Sequence, residues 1–385
     1  MEMSNVYIAS VGLLPIQDHW NKSISDLMVE ASLKALEKAP WAKPERVVVG
    51  NMFSGVSSSQ EHLGALLASC LGLKGIPAFK VEAACGSGGV AVHEGYMAIK
   101  AGMADVVLVV GVEKMKDMLT PRATKALAMA EHADFTQAVG ATFISLNALV
   151  MRLYMETYGV TREEMAAFPI LAHKNAVTAP HAQFKRTITL QDVVNSPMVS
   201  APLRLLDSAP AGDGAVALIL VSDKYRSKEN LVEIVGSEVA NNYFLLGERE
   251  KPLFLEATAA ASKRAFERAG LKVEDMDFLE IHDAFSVTAA LSLETLGISD
   301  EGKAPRDALN GRFNLDGELP ILTFGGLKAR GHPVGATGAY QVAEAYLQLT
   351  DRAGPNQVKG AKYGFTHNFG ALDTTTAVHI LRRMM

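Results

Sequence analysis

Nine residues at positions 31–39, ASLKALEKA, reappear at 261–269 as ASKRAFERA, with five identities and two Lys/Arg exchanges across an offset of 230. Each copy runs through a short loop carrying an acid, Glu45 in one and Asp275 in the other, into an apolar stretch, RVVVG and DFLEI. Amphipathic Ala/Lys/Glu helices can resemble each other by chance, but the same helix, loop and strand order after both copies favours duplication. A period of that size is domain-sized rather than solenoid-sized, so it predicts two similar halves in one chain. The 385 residues, 49% hydrophobic and 21% charged, suffice for two ordinary cores.

Short runs rich in Val, Ile and Leu (47–49, 106–110, 215–221 and 377–381) are separated by longer helical segments. That pattern predicts buried strands with helices packed on them, an α/β architecture. Residues 115–204 have a different texture. Phe143 to Tyr158 and TREEMAAFPILAHKNA read as helical, the second opened by a Thr161 cap with Glu164 at the capping-box position, and a polar stretch follows. The segment reads as an insertion, which divides the chain into an N-terminal core half (1–114 and 205–230), an inserted loop domain (115–204) and a C-terminal core half (231–385). From His173 to Gln191 the chain carries Lys174, Lys185 and Arg186 and no acid, although its net charge is -5. Such a window is either a solvated face or a phosphate-binding loop.

The net charge argues against a general nucleic-acid surface. The N-terminus lacks the basic start and apolar core of a signal peptide, and nothing approaches the ~20 apolar residues of a membrane span. Two cysteines, Cys70 and Cys85, form neither a disulfide framework nor a CxxC pair for zinc. A cytoplasmic protein without a metal is expected. Cys70, in ALLASCLGL, reads as a buried structural thiol.

Cys85 differs. AFKVEAA before it reads as a strand and GSGGVAVHEGYMAIKAG after it as a helix, so the thiol sits at a helix N-terminus. The dipole and free N–H groups there lower a thiol's pKa and supply donors for an oxyanion. Gly86, Ser87, Gly88 and Gly89 are expected to leave open space above the sulfur. A nucleophilic thiol needs a base, usually histidine. His332 lies in GGLKARGHPVGATGAY, a Gly-rich approach with Pro333 at the first helical position, repeating the layout around Cys85. His282 follows the strand FLE, and His367 follows an apparent strand in AKYGFTHNFG. One histidine at a strand end is usually a satisfied polar group; three beside Gly-flanked elements point to a site.

With these residues in view, the chain resembles the thiolases over essentially its full length, nearest the sterol-carrier-protein-type branch and its archaeal acetoacetyl-CoA relatives. The Cys-x-Ser nucleophile loop is matched by Cys85, Gly86 and Ser87, and the GHP loop by Gly331, His332 and Pro333. The branch's His-Asp-x-Phe loop is matched by His282, Asp283, Ala284 and Phe285. YGVTREEM, HAQFKRTIT and SPMVSAPLRLLDSAPAGDGAVALIL resemble that branch's loop domain and its return to the core.

The resemblance implies the thiolase fold, a duplicated five-layered α-β-α-β-α core with an inserted loop domain. It implies an acetyl-CoA C-acetyltransferase, condensing two acetyl-CoA or running the reverse thiolysis, with no cofactor beyond coenzyme A as substrate. Cys85 would be acylated and His332 would take the thiol proton. His282 would stabilise an enolate, and the backbone N–H groups of Cys85, Phe369 and Gly370 would hold an oxyanion. Ser87, Lys174, Lys185 and Arg186 are the candidates for contacting CoA. One departure stands out: the second cysteine that thiolases use as acid/base is absent, replaced by Ala284 in one loop and, in the C-terminal loop, by the position assigned to His367. His367 either shuttles the proton itself or only positions substrate while His332 or water does so.

Two other readings remain: an acyltransferase to a non-CoA acceptor, like the phloroglucinol acetyltransferase relatives, and an inactive scaffold or lipid-carrier subunit. Retro-aldolase relatives lack the nucleophile, so Cys85 counts against that activity. The resemblance also implies a homodimer or tetramer, and a complex with hydroxymethylglutaryl-CoA synthase through a small OB-fold protein.

Overall fold

A computed structural model describes residues 4–384; residues 1–3 and 385, at the ends of the two predicted halves, lie outside the described residues. The first half comprises β1 (Val6–Leu13), α1 (Ile24–Leu36), β2 (Arg46–Gly50), α2 (Leu63–Cys70), β3 (Ala78–Val81), α3 (Ser87–Lys100) and β4 (Val106–Glu113). Helices α4 (Phe143–Tyr158) and α5 (Ala167–Ala176) follow, and β5 (Gly214–Ser222) returns to the sheet. The second half contains β6 (Val232–Asn241), α6 (Glu256–Ala269), β7 (Phe278–Glu280), α7 (Ser286–Thr295), α8 (Thr337–Leu349), β8 (Tyr363–Gly370) and β9 (Thr375–Arg383).

The nine strands join in the order β3-β2-β4-β5-β1-β6-β9-β8-β7. Outward from the β1/β6 seam, the two halves run β1-β5-β4-β2-β3 and β6-β9-β8-β7, the same order twice. An isolated parallel bridge between Leu279 and Ile321 stands where the second half's counterpart of β3 would lie. Strand directions repeat as well: β2 with β4 and β7 with β8 are parallel, whereas β4 with β5 and β8 with β9 are antiparallel. The duplication suggested by nine residues therefore extends to the whole topology.

Helices α3 and α8 pack together between the halves, α1 and α2 cover one outer side, and α6 covers the other. This is the five-layered arrangement. Because β4 and β5 are covered on both faces, every residue in them is buried, and their sequences are continuous apolar runs rather than alternating ones. Glycines mark where helices touch backbone. A Cβ on Gly12 of β1 would lie 2.7 Å from the Ala35 nitrogen, and one on Gly236 of β6 would lie 2.7 Å from the Ala265 oxygen. Ala35 and Ala265 are equivalent positions of the repeat. At the centre, a Cβ on Gly88 would lie 2.8 Å from the Ala339 nitrogen, and one on Gly338 would lie 2.3 Å from that of Gly89.

Two local expectations change. TREEMAAFPILAHKNA is not one helix: it breaks at Ala166 into Arg162–Met165 and α5, because Pro169 has no N–H to give the Met165 carbonyl. The Thr161 cap forms as expected, with the Thr161 N–H donating to Glu164 Oε2 at 2.7 Å. Cys70 ends α2 exposed rather than buried.

Gly338→Ala should destabilise the protein by about 3 kcal/mol through overpacking at the central seam. Gly72→Ala, at a φ of 69° with nothing within 4 Å, should cost about 1 kcal/mol. Urea unfolding measures both.

Candidate active site

β3 ends at Val81, and the chain turns sharply before α3. Ala84 has a φ of 49°, a left-handed conformation costing about 1 kcal/mol for a residue with a Cβ. The Ser87 hydroxyl holds this turn, donating to the Ala84 carbonyl at 2.6 Å and accepting the Ala83 N–H at 2.9 Å. Ser87, expected as a CoA contact, is buried here with its hydroxyl proton committed to the Ala84 carbonyl. The glycines do not leave open space either. A Cβ on Gly86 would lie 3.0 Å from the Gly370 nitrogen, and one on Gly89 would lie 2.9 Å from the Ala377 side chain. They let the elbow pack against α8, β8 and β9.

Cys85 is 2% exposed. The backbone N–H groups of Ala371 and of Cys85 itself act on its sulfur, favouring the thiolate. The expected donors Phe369 and Gly370 lie inside β8, whereas Ala371 opens the turn after it, at a φ of 54°.

The irregular segment from Asp207 to Asp213, with isolated bridges from Ser208 to Phe285 and from Ala211 to His332, brings the two histidine loops together. The Ala209 N–H donates to the Ala284 carbonyl at 2.7 Å, and the His332 N–H donates to Pro210 at 3.2 Å. The His282 and His332 rings consequently meet edge to face, 5.4 Å apart. Pro333 does not begin the helix: a 3-10 turn, Val334–Ala336, intervenes, and α8 starts at Thr337. That shift places the Thr337 hydroxyl 2.7 Å from His332 Nδ1.

Asn368 is the residue sequence reasoning missed. Its Oδ1 accepts the Gly89 N–H at 3.3 Å, which turns its Nδ2 toward His282 Nδ1 at 3.0 Å. An amide N–H can only donate, so His282 Nδ1 accepts and the ring proton sits on Nε2. The Nε2 atoms of His282 and His332 are buried with no partner among the described residues. Two imidazoles thus present free nitrogens from one cluster.

His367 reaches them only through Phe369, whose ring centre lies 5.3 Å from that of His367 and 4.2 Å from that of His282. Alternate residues of a strand face opposite sides. Asn368 points to α3, whereas His367 points to α6, where its Nε2 lies 2.8 Å from Thr258 Oγ1. Thr258 in turn donates to Asp373. His367 also sits three residues, roughly 10 Å of strand, before Gly370. Asn368, and not His367, is the residue of this strand that bonds to His282.

Burial dominates the electrostatics. It pushes the Cys85 thiol up to about 12, assisted by the Glu113 carboxylate, and outweighs the two N–H donors. The expected lowering by the helix N-terminus is therefore reversed in the free protein. Burial, with help from Arg330, pulls His332 down to about 3. Burial and then the neighbouring His332 hold His282 well below the usual imidazole range. At neutral pH the free site holds a thiol and two neutral imidazoles. Charged groups brace it from behind: Lys328 reaches Asp283 of the His282 loop at 3.3 Å, and Arg330 pairs with Glu344 at 3.1 Å.

Lys174, Lys185 and Arg186 are exposed. The Gln183 and Phe184 N–H groups donate to Arg330 and Ala329, so the Lys185–Arg186 loop continues from a segment zipped to the approach to His332. His173 Nδ1 meets the Arg186 carbonyl at 3.1 Å and ties that loop to α5.

A buried cysteine at a helix N-terminus beside two histidines on duplicated α/β halves defines an acyl-transfer enzyme class, and the comparisons agree. Residues 6–224 match the family described as thiolase, N-terminal domain, and residues 240–383 match the thiolase C-terminal domain-like family. The chain belongs to the thiolase family. An acetyl-CoA acetyltransferase of Methanothermobacter thermautotrophicus is 41% identical, covering 99% of this chain and 100% of that protein. Sterol carrier protein 2 of Bos taurus is 31% identical over 95% of this chain and 70% of its own length. Among solved structures, the Ltp2-ChsH2(DUF35) aldolase shares the fold with a TM-score of 0.86 at 23% identity, covering 98% of each chain.

If His332 is the base for Cys85, His332→Ala should slow alkylation of Cys85 by iodoacetamide at pH 7 at least roughly tenfold. Exposed Cys70 serves as the internal standard. In the wild type, Cys85 alkylation should still be rising at about pH 9, because a raised thiol pKa keeps the thiolate scarce below it. Peptide mapping across pH measures both.

Proposed function

We propose that this thiolase-family enzyme is an acetyl-CoA C-acetyltransferase, condensing two acetyl-CoA to acetoacetyl-CoA and CoA or running the reverse thiolysis. The observation that carries the reading is the seam in which Asn368 joins the helix that follows Cys85 to His282, and His282 meets His332, both imidazoles with free Nε2 atoms. Its near-full-length likeness to an acetyl-CoA acetyltransferase adds support.

In the first half-reaction, Cys85 Sγ attacks the thioester carbonyl while its proton passes to His332 Nε2, with Nδ1–H donating to Thr337. The Cys85 and Ala371 N–H groups hold the oxyanion. CoA leaves as the carbon–sulfur bond breaks and takes the proton from His332. In the second, a new acetyl-CoA loses an α-proton to His332 Nε2, its enolate oxygen receives the His282 Nε2–H bond, and its carbon displaces Cys85 Sγ from the acetyl group, the sulfur taking the proton from His332 to restore the thiol. The α-proton of a thioester is a very weak acid, so a base and a donor are both required. With Ala284 and Asn368 at the two cysteine positions and His367 directed to α6, His332 is the base this reading assigns.

Lys174, Lys185 and Arg186 would hold the CoA phosphates as flexible point charges and a guanidinium fork. CoA is a substrate, and no separate cofactor or metal is required. The free edge of β3, four half-buried residues, suits pairing with a second copy. A homodimer or tetramer follows. Complexes with hydroxymethylglutaryl-CoA synthase and a small OB-fold protein fit an uphill condensation that the next enzyme draws forward. No described helix is long and apolar enough to cross a membrane; a cytoplasmic site of action, away from membranes and nucleic acid, is part of the proposal.

The absent second cysteine favours one competing reading, transfer of the acetyl group to a non-CoA acceptor. Incubation with acetoacetyl-CoA and free CoA decides: release of acetyl-CoA is expected, and its absence from an enzyme that still acetylates Cys85 would support the other acceptor. Lys185→Ala with Arg186→Ala should raise the KM for CoA roughly fivefold or more at low salt and leave kcat within about twofold. His367→Ala should leave kcat within about threefold while lowering the melting temperature, because His367 is bonded to α6.

A further inference from the structure

Glu113 is fully buried at the end of β4, where no step above uses it. Its carboxylate gathers three segments distant in sequence. Oε1 accepts the Asn51 side-chain amide at 2.8 Å, and Oε2 accepts the N–H groups of Met52 and Gly335, each at 3.0 Å. Gly335 belongs to the turn between His332 and Thr337, the hydroxyl that meets His332 Nδ1. Met52 and Asn51 begin the loop after β2. The site is shaped for a carboxylate: a Cβ on Gly335 would fall 2.7 Å from Oε2 and 2.5 Å from the Met52 nitrogen. Asn51 cannot flip to accommodate another group, because its Oδ1 accepts the Ser54 N–H and its Nδ2 also donates to the Val112 carbonyl. An amide at position 113 would therefore set one N–H group against another.

We propose that Glu113 is a positioning residue for the Cys85–His332 pair, its carboxylate fastening the turn after His332 to the Asn51–Met52 loop beside the nucleophile. The proposal rests on the acyl-transfer reading of the site. Two effects follow from one group. The hydrogen bonds fix where His332 and Thr337 stand; burial raises the Glu113 carboxyl itself to about 7, and above that pH its negative charge opposes ionisation of Cys85. Glu82 is the other carboxylate acting on that thiol, more weakly.

The test separates length from charge. In the full-length enzyme, Glu113→Asp keeps the charge on a shorter arm that cannot reach both Met52 and Gly335; Glu113→Gln keeps the length without the charge. Both should lower kcat for acetoacetyl-CoA thiolysis at least roughly tenfold with KM within about threefold, the signature of lost positioning. Only Glu113→Gln should shift the pH midpoint of Cys85 alkylation downward, raising that rate at pH 8 roughly tenfold for a shift of one unit, with Cys70 unchanged. Wild-type kcat in folded Glu113→Asp, or an unmoved Cys85 midpoint in Glu113→Gln, would overturn the proposal. The alkylation arm needs no turnover, so it still reads Glu113 if the wild type shows no thiolysis. If Glu113→Gln does not fold, the Glu113→Asp kcat alone decides.

Discussion

The N-termini of two buried helices meet backbone to backbone, and almost everything else in the molecule serves that contact. Gly88 and Gly89 of α3 lie against Gly335, Gly338 and Ala339 around the start of α8, at distances no Cβ would permit. Each helix carries one candidate site loop immediately before it, so bringing the helices together draws the Cys85 and His332 loops to one seam. Duplication provides the means: two copies of one topology face each other, and the site forms where their equivalent helices begin. The glycine-rich character of both loops is a packing requirement first.

The seam has an electrostatic cost. Closing it removes water from Cys85, His282 and His332, and desolvation of a charged form outweighs the helix dipole here. The free site is consequently uncharged at its reacting atoms, ringed by fixed donors and by ion pairs one step back. Such a site develops charge only when a thioester supplies an oxygen for the waiting N–H groups. Asn368 contributes by fixing one tautomer: it makes His282 a donor at Nε2.

Much of this was legible in the sequence. The 230-residue offset, the continuous Val-rich runs of β4 and β5 and the Thr161 cap follow from periodicity and local chemistry, and they reappear in the fold. The chain also signalled Cys85, His282 and His332 through their Gly-flanked settings. What was not legible depends on strand phase and long-range contact. His367 and Asn368 are adjacent, and only the pairing register of β8 decides which faces α3. A period-two reading of YGFTHNFG, with Phe365, His367 and Phe369 on one side, was the available signal. Ser87 looked like a ligand because its bonds to Ala83 and Ala84 exist only once Ala84 adopts its left-handed turn. The thiol's proton affinity depends on Glu113, 28 residues away in sequence, and on burial that no local pattern specifies.

The central claim is that the paired helix starts make Cys85, and not exposed Cys70, the residue that accepts an acyl group. Peptide mapping after brief mixing with acetyl-CoA tests it most directly. The account predicts a single acetyl group on the peptide containing Cys85, removed by free CoA and absent in Cys85→Ser. Acetylation of Cys70 instead, or no acetyl-enzyme at saturating acetyl-CoA, would contradict it.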